Sequence, residues 1–569
     1  MSTLGRRIGW FLSREATLVI LAGMTLAVLL NWSSFRHPRS TLIGGLGDPL
    51  LQAWQLAWGH HLVTEGGTFW TGNVLYPAVD GLAFSDALLG YLPFGLFGDG
   101  MYAAVMRYNI VYLFAFALAF AGCYALARQL GASWPGAALA GVVFAGAPWR
   151  LAHAAHLNIL STGGIALALF ALARGHGYSF REGLRTDRVR PLWALAGWLI
   201  AAWQVTLGFA VGVPFVYLTG LIALVVVAVT VLRRREPGRR MVIVNGVGIG
   251  VFLAVTYLMT IPYRRVVDTY HFTRTWNEVV ELSPVPRGFV TASNDTWLWQ
   301  GTALNRTEAL PGPWPGEGMI LPGFVVILFA VAGLVVSAWP VRVRIGLAVA
   351  AVISAVLALG AGFFGGRYTY FPLWQYLPGW DALRTPGRLI LWTTLFLALL
   401  AAGAVTGLGQ ALSERVTQPR RRRLLAAVLV LPALGAVLEA VPDRGVATVP
   451  GVPPGLRQVY AQTREPILIL PMDEPSDFRY MLWSTEGFPK IANGHNGFIP
   501  PTYFTLAKAA TAFPDPTSLG VLRGNGIREV VVLKSSIAGT PYADVLRRPV
   551  GDLPLSTSEN ADVVIFTLR

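Results

Sequence analysis

Cysteine is nearly absent from this chain of 569 residues, in which Cys123 stands alone. A single cysteine excludes an intrachain disulfide and any metal site built from several thiolates. Lysine is almost as scarce, with three residues among the 45 basic ones, and charged residues of both signs make up only 13%. There is no P-loop, no GxSxG elbow, no HExxH helix and no dinucleotide fingerprint, so the common motifs of nucleotide, hydrolase and zinc-protease chemistry are missing. What is abundant is apolar sequence, 54% of the chain with a mean hydropathy of +0.53. Repeated runs of about 20 apolar residues are what a bilayer requires.

Hydropathy predicts about eleven spans: 17–32, 104–127, 133–148, 157–173, 191–208, 211–232, 241–261, 319–338, 343–360, 388–411 and 423–441. The first is expected to be a retained anchor, because no small-residue cleavage site follows it. The segment 84–98 is apolar but short and broken by Pro93, which predicts a re-entrant or interfacial piece. One set of connections carries 21 basic residues against five acidic ones, including the RRREPGRR run at 233–240 and Arg420 to Arg423. The positive-inside rule places that set and the N-terminus in the cytoplasm. The basic balance is thus an orientation signal, and no nucleic-acid partner is expected. Twenty-five of the 30 carboxylates and seven of the eight histidines fall on the opposite side or at its edge. Chemistry is therefore expected on the outer face of a plasma membrane.

The predicted fold is an α-helical polytopic membrane protein with a small C-terminal extracytoplasmic α/β domain. Residues 1–444 form the membrane part, with outer loops at 31–100 and 262–318, and residues 445–569 form the outer domain. That domain has balanced charge, short β-branched runs at Pro466–Leu470, Val530–Leu533 and Val563–Phe566, and helical sequence at 502–513 and 516–525.

Four places carry candidate chemistry. Asp48, in Gly47-Asp48-Pro49, opens the first outer loop. Asp before Pro also fits a helix N-cap with Pro49 at the first helical position. The helix that follows puts Leu50, Leu51, Trp54 and Trp58 near one face, suited to lipid headgroups. Asp86 enters a hydrophobic segment, where an acid is costly and usually functional or paired. Arg150, His153 and His156 recur at three-residue spacing and would share a helical face. Such a face can hold a phosphate, supply two metal ligands, or simply cap a helix. Arg384 and Arg388 lie at an outer span boundary, against the charge bias, so an anionic partner is expected: a lipid phosphate or Asp381. In the outer domain, the polar loop Asn493 to Phe498 is suited to sugar contact through its amide donors or is an ordinary turn.

These segments resemble the GT-C superfamily of membrane glycosyltransferases, with an acid in the first outer loop, about eleven spans and an outer C-terminal domain. The phrases GDPLLQAWQLAWGHHL, LYPAVDGLAFSDALLGYLPF, PWRLAHAAHLNIL, LPGWDALRTPGRL and ILPMDEPSDFRYMLWSTEGFPKIANGHNGFIPP resemble a bacterial branch related to the YfhO-like group. The resemblance implies a polyprenyl-phosphate sugar as donor, an envelope glycan, lipid or protein as acceptor, and inversion at the anomeric carbon. Asp48 maps to the first-loop catalytic acid, a general base on the acceptor hydroxyl. Arg150, His153, His156 and Arg384 are the candidates for the leaving lipid phosphate. Many members pair two acids in this loop, whereas here Pro49 follows Asp48. Asp86 is then the second catalytic candidate, and dependence on a divalent metal stays open. A flippase for lipid-linked sugars and a non-catalytic envelope-assembly protein are the alternative readings.

Overall fold

The computed structural model describes residues 3–232, 238–414 and 418–569. Arg233, Arg234, Arg235 and Arg415, counted above among the cytoplasmic connections, lie outside these described residues. A helix stands at each expected span, and these helices differ in length. Among the described residues, six helices are long and apolar enough to cross a bilayer: Gly100–Leu130, Leu157–Gly175, Phe209–Leu232, Arg239–Tyr270, Val341–Ala358 and Pro386–Ser413. Pro191–Val205, Phe324–Val335 and Leu424–Glu439 are apolar but shorter. Several of the expected spans hold a shorter or interrupted helix. At Leu429, for example, a turn separates Pro419–Val428 from Leu431–Glu439. The segment 84–98 forms 3-10 turns, Gly81–Phe84 and Leu89–Leu96.

The chain divides into two compact units. The first comprises 1–32, 112–258 and 273–445. Its centre is the helix Ile390–Ser413, against which Trp134–Gly146, Phe324–Val335 and Val341–Ala358 pack. Small residues permit that approach. A β-carbon on Gly136 would come within 2.6 Å of the Ala402 carbonyl, and one on Gly333 within 2.5 Å of the Leu400 carbonyl. In lipid, helices gain little from burying apolar surface against one another, so close van der Waals packing of this kind has to hold them. The helix Phe209–Leu232 instead leaves Leu221, Leu224, Val227 and Val231 exposed, the face a lipid environment covers.

The second unit comprises 33–111, 259–272 and 446–569. It holds a four-stranded sheet in the order Ile467–Leu470, Glu529–Leu533, Val563–Leu568, Leu555–Glu559. The first pair is parallel and the other two are antiparallel. The parallel pair needs a crossover, supplied by the helices Glu474–Trp483, Pro501–Ala512 and Pro516–Gly524. The edge strand Leu555–Glu559 (LSTSE) is polar, and hydropathy alone does not mark it.

Asp477 is fully buried in this unit. Its carboxyl accepts hydrogen bonds from Tyr503 Oη and, at 2.8 Å, from Asn493 Nδ2. Burial outweighs those bonds and pushes its pKa up to about 7. Because the folded value lies above the unfolded one, the folded state binds the extra proton. Stability therefore falls as pH rises from about 4 to about 7, by about 2–4 kcal/mol. Asp477→Asn is expected to raise the thermal midpoint of the purified protein at pH 8 and to leave it nearly unchanged at pH 4. Equal shifts at both pH values would contradict this account.

Candidate functional site

Asp48 and Asp86 belong to the second unit, and Arg150, His153, His156 and Arg384 to the first. The helix Asp48–Glu65 starts one residue earlier than the capping pattern predicts. Gly47 is the N-cap, and Asp48 is the first helical residue. The carboxylate thus lies in the first turn, where it complements the positive end of the helix. This helix does not lie among headgroups by its Trp face. Pro49 to Gly59 are all buried within the unit. Trp54 Nε1 donates to Asn73 Oδ1 at 2.9 Å, and Trp58 Nε1 donates to the Phe69 carbonyl at 3.0 Å. Each indole N–H finds a protein partner, so the aromatic pattern encoded packing and not lipid contact.

Asp86 sits in the segment laid along this helix. Its carbonyl accepts from Gln55 Nε2 at 3.1 Å, and the neighbouring Ser85 carbonyl accepts from Tyr263 Oη at 3.0 Å. Gln55 is seven residues beyond Asp48, about 10 Å along a helix axis. The Asp86 backbone is thus fixed well down the helix from Asp48.

The polar loop Asn493 to Phe498 follows the helix Glu474–Trp483. Its amides do not offer themselves to sugar, as the sequence pattern had implied. Asn493 acts as an extra strand residue, accepting from Ile469 N at 2.7 Å and donating to the Ile469 carbonyl at 2.9 Å. Asn496 Nδ2 donates to the Gly81 carbonyl at 3.0 Å. These internal bonds hold His495 in place. Its backbone N–H meets Met481 Sδ at 3.1 Å, its ring centroid lies 4.6 Å from that of Phe478, and its Nε2 is 3.9 Å from Glu474 Oε1. Burial lowers the His495 pKa, against the opposing charges of Glu474 and Asp48.

In the first unit, Arg150, His153 and His156 do not share a helical face. The helical turn Trp149–Ala152 ends at His153, and His156 precedes a new turn, Leu157–Leu160. Trp149 pins the first turn by donating Nε1 to Thr394 Oγ1 at 3.0 Å. Arg150 is buried and braces the next turn, donating to the Leu160 carbonyl at 2.7 Å and to Thr162 Oγ1 at 3.3 Å. His153 Nδ1 lies 3.4 Å from His156 Nδ1, and its Nε2 lies 3.9 Å from Glu317 Oε2. Burial takes the His153 pKa down to about 3, so its ring is neutral at ordinary pH.

Arg384 pairs with Glu278 and Arg388 with Glu317. Arg388 donates to both Glu317 oxygens, at 2.6 and 3.3 Å. Burial opposes charge on Glu317, but the guanidinium overcomes it and holds the carboxyl at about 2. Glu278 Oε1 serves two guanidiniums, Arg274 at 3.1 Å and Arg384 at 3.4 Å. Arg274 is 15% exposed and Arg384 is 42% exposed. Burial, then repulsion from Arg384, lowers the Arg274 pKa. One carboxylate shared by two guanidiniums leaves an electropositive place suited to an anion. Sequence reading passed over Arg274, Glu278 and Glu317. Their visible trace was the concentration of charge in the 262–318 loop, without any spacing to link them to the segment 376–388.

Among the described residues, no three His, Cys, Asp or Glu side chains come together as metal ligands.

No protein-family model matches the chain, and no curated protein matches it either. Solved structures do. The arabinofuranosyltransferase AftD from Mycobacteria aligns over 98% of this chain with a TM-score of 0.53 at 15% identity. The chain spans only 40% of that protein's length. An oligosaccharyltransferase from Archaeoglobus fulgidus aligns over 92% of this chain and 70% of its own (TM-score 0.47, 12% identity). ArnT from Cupriavidus metallidurans aligns over 99% and 98% (TM-score 0.43, 14% identity). The fold assignment rests on the first of these. The chain has the GT-C fold of membrane glycosyltransferases.

Proposed function

We propose that this protein transfers a sugar from a polyprenyl-phosphate donor to a hydroxyl of an envelope acceptor, on the outer face of the plasma membrane and with inversion. The observation that carries the reading is the Glu278 carboxylate shared by Arg274 and Arg384, with Arg384 still 42% exposed. A leaving lipid phosphate needs positive charge where its own charge develops, and Arg384 supplies it. Arg388, committed to Glu317, and Arg150, bracing the 157–162 turn, hold the surrounding backbone in shape. His153, neutral and buried, serves the same end. In this reading Asp48 is the general base that takes the proton of the acceptor hydroxyl. The charge asymmetry of the connections supports a cytoplasmic N-terminus and an extracytoplasmic C-terminus.

The reading is tested by transfer of radiolabel from polyprenyl-phosphate pentoses and hexoses into membranes that contain or lack the protein. Label that enters acceptors equally in both would overturn it. Arg384→Gln is expected to raise the donor KM about tenfold or more, the value of one charge-assisted hydrogen bond, with a smaller change in kcat. An unchanged KM would remove Arg384 from the donor site.

A further inference from the structure

Two helices of the first unit, Gly163–Gly175 and Pro191–Val205, bring a pair of arginines together at their joined ends. The helices close tightly there, since a β-carbon on Gly175 would come within 2.3 Å of the Ala194 nitrogen. The Arg190 N–H donates to the Gly175 carbonyl at 2.8 Å, which fixes Arg190 beside the residue that follows Arg174. The Arg174 guanidinium carbon lies 5.0 Å from the Trp193 ring centroid and 6.0 Å from that of Phe170. Aromatic faces hold a cation in place but do not neutralise it. The Arg174 Nε is buried with no hydrogen-bond partner. The only acids between positions 157 and 208 are Glu182 and Asp187. Both are committed to Arg185 and Arg188, at 2.9 to 3.6 Å. Among the described residues, neither Arg174 nor Arg190 has a carboxylate partner.

We infer that Arg174 and Arg190 bind the phosphate of an anionic phospholipid, in the leaflet where the positive-inside rule expects the cytoplasm. Two neighbouring guanidiniums offer a phosphodiester several charge-assisted hydrogen bonds. A zwitterionic headgroup would bring an ammonium that finds no uncommitted acid here. The second helix supplies the apolar half of the site. Leu192 is 67% exposed, Trp193 39% and Leu199 46%. Leu192 and Leu199 are seven residues apart, so they share a face and extend about 10 Å along the helix axis. An acyl chain covers that stripe when its phosphate sits at the arginines, whereas a free anion leaves it bare. Basic pockets between spanning helices recognise anionic headgroups in this way. The inference is independent of the donor reading of Arg384, because none of these residues belongs to that cluster.

The test uses full-length protein in a neutral detergent, titrated with phosphatidylglycerol or with phosphatidylcholine of the same acyl chains. Native mass spectrometry counts the lipid retained. The wild type should hold phosphatidylglycerol the more tightly. Arg190→Gln should weaken that binding about fivefold, the worth of one arginine beside an anionic headgroup. Arg174→Gln should weaken it by a similar factor, and Arg190→Lys should keep part of it. Arg188→Gln is the control and should change nothing, because that guanidinium is already paired with Glu182 at 3.0 Å. The thermal midpoint without added lipid shows that each variant is folded. The Arg190 side chain is exposed, so Arg190→Gln gives a folded variant even where Arg174→Gln does not. Equal retention of the two lipids by the wild type overturns the inference. Equal losses in Arg188→Gln and Arg190→Gln do so too, since they mean diffuse attraction to a basic surface. Complete displacement of the lipid by inorganic phosphate also overturns it, as that describes a site for any free anion.

Discussion

Asp48→Asn is expected to lower sugar transfer by about a hundredfold or more while the protein still folds. General-base catalysis contributes about 10²–10⁴ in rate, and an amide of the same shape accepts no proton at neutral pH. The structural cost is expected to be small, because Gly47 and not Asp48 occupies the N-cap and the isosteric amide keeps an acceptor oxygen. What disappears is the favourable placement of a negative charge at a helix N-terminus, about 0.3–1 kcal/mol. Expression level, thermal midpoint and transfer rate measured on the same preparation separate the two effects. Transfer at the wild-type rate would make Asp48 a structural residue and pass the test to Asp86. A rate loss matched by a loss of folded protein would be equally damaging to the assignment.

Arg388→Met is expected to produce the largest loss of stability. Glu317 is buried, and Arg388 provides the charge that keeps it ionised. His153, the other close group, is neutral and contributes no compensating charge. Breaking a buried pair from one side costs about 3–5 kcal/mol, because the remaining charge is left uncompensated. In the wild type the Glu317 carboxyl lies below its unfolded value. Its contribution is therefore present above about pH 4.5 and is lost as pH falls toward about 2. Without Arg388, burial raises the carboxyl above its unfolded value and the sign reverses, so the variant should be weakest at neutral pH and recover on mild acidification. Adding Glu317→Gln to Arg388→Met should restore much of the thermal midpoint. A single variant as stable as the wild type at pH 7 would show that the pair carries no such burden.

The apolar runs located the helices because a lipid-facing or tightly packed span has to be apolar along its whole length. Asp48 before Pro49 marked a helix start to within one residue, since Pro is tolerated in the first turn and disfavoured further in. The β-branched runs near 467, 530 and 563 marked three strands, while the polar strand Leu555–Glu559 carried no such signal. The three-residue spacing of Arg150, His153 and His156 misled, because periodicity assumes an unbroken helix and this one ends at His153.

The sequence by itself determined that this is a helical membrane protein, where its apolar helices lie, and that an acid begins the helix Asp48–Glu65. Local composition and spacing control those properties. Tertiary structure alone decided which charges meet. Arg384 finds Glu278 across 106 positions and Arg388 finds Glu317 across 71, separations at which no local pattern links the partners. It also decided that the Asn493 and Asn496 amides are spent inside the protein, on Ile469, Asp477 and Gly81. A side chain's availability for chemistry depends on which of its hydrogen bonds folding has already used, and that is settled only when distant segments pack.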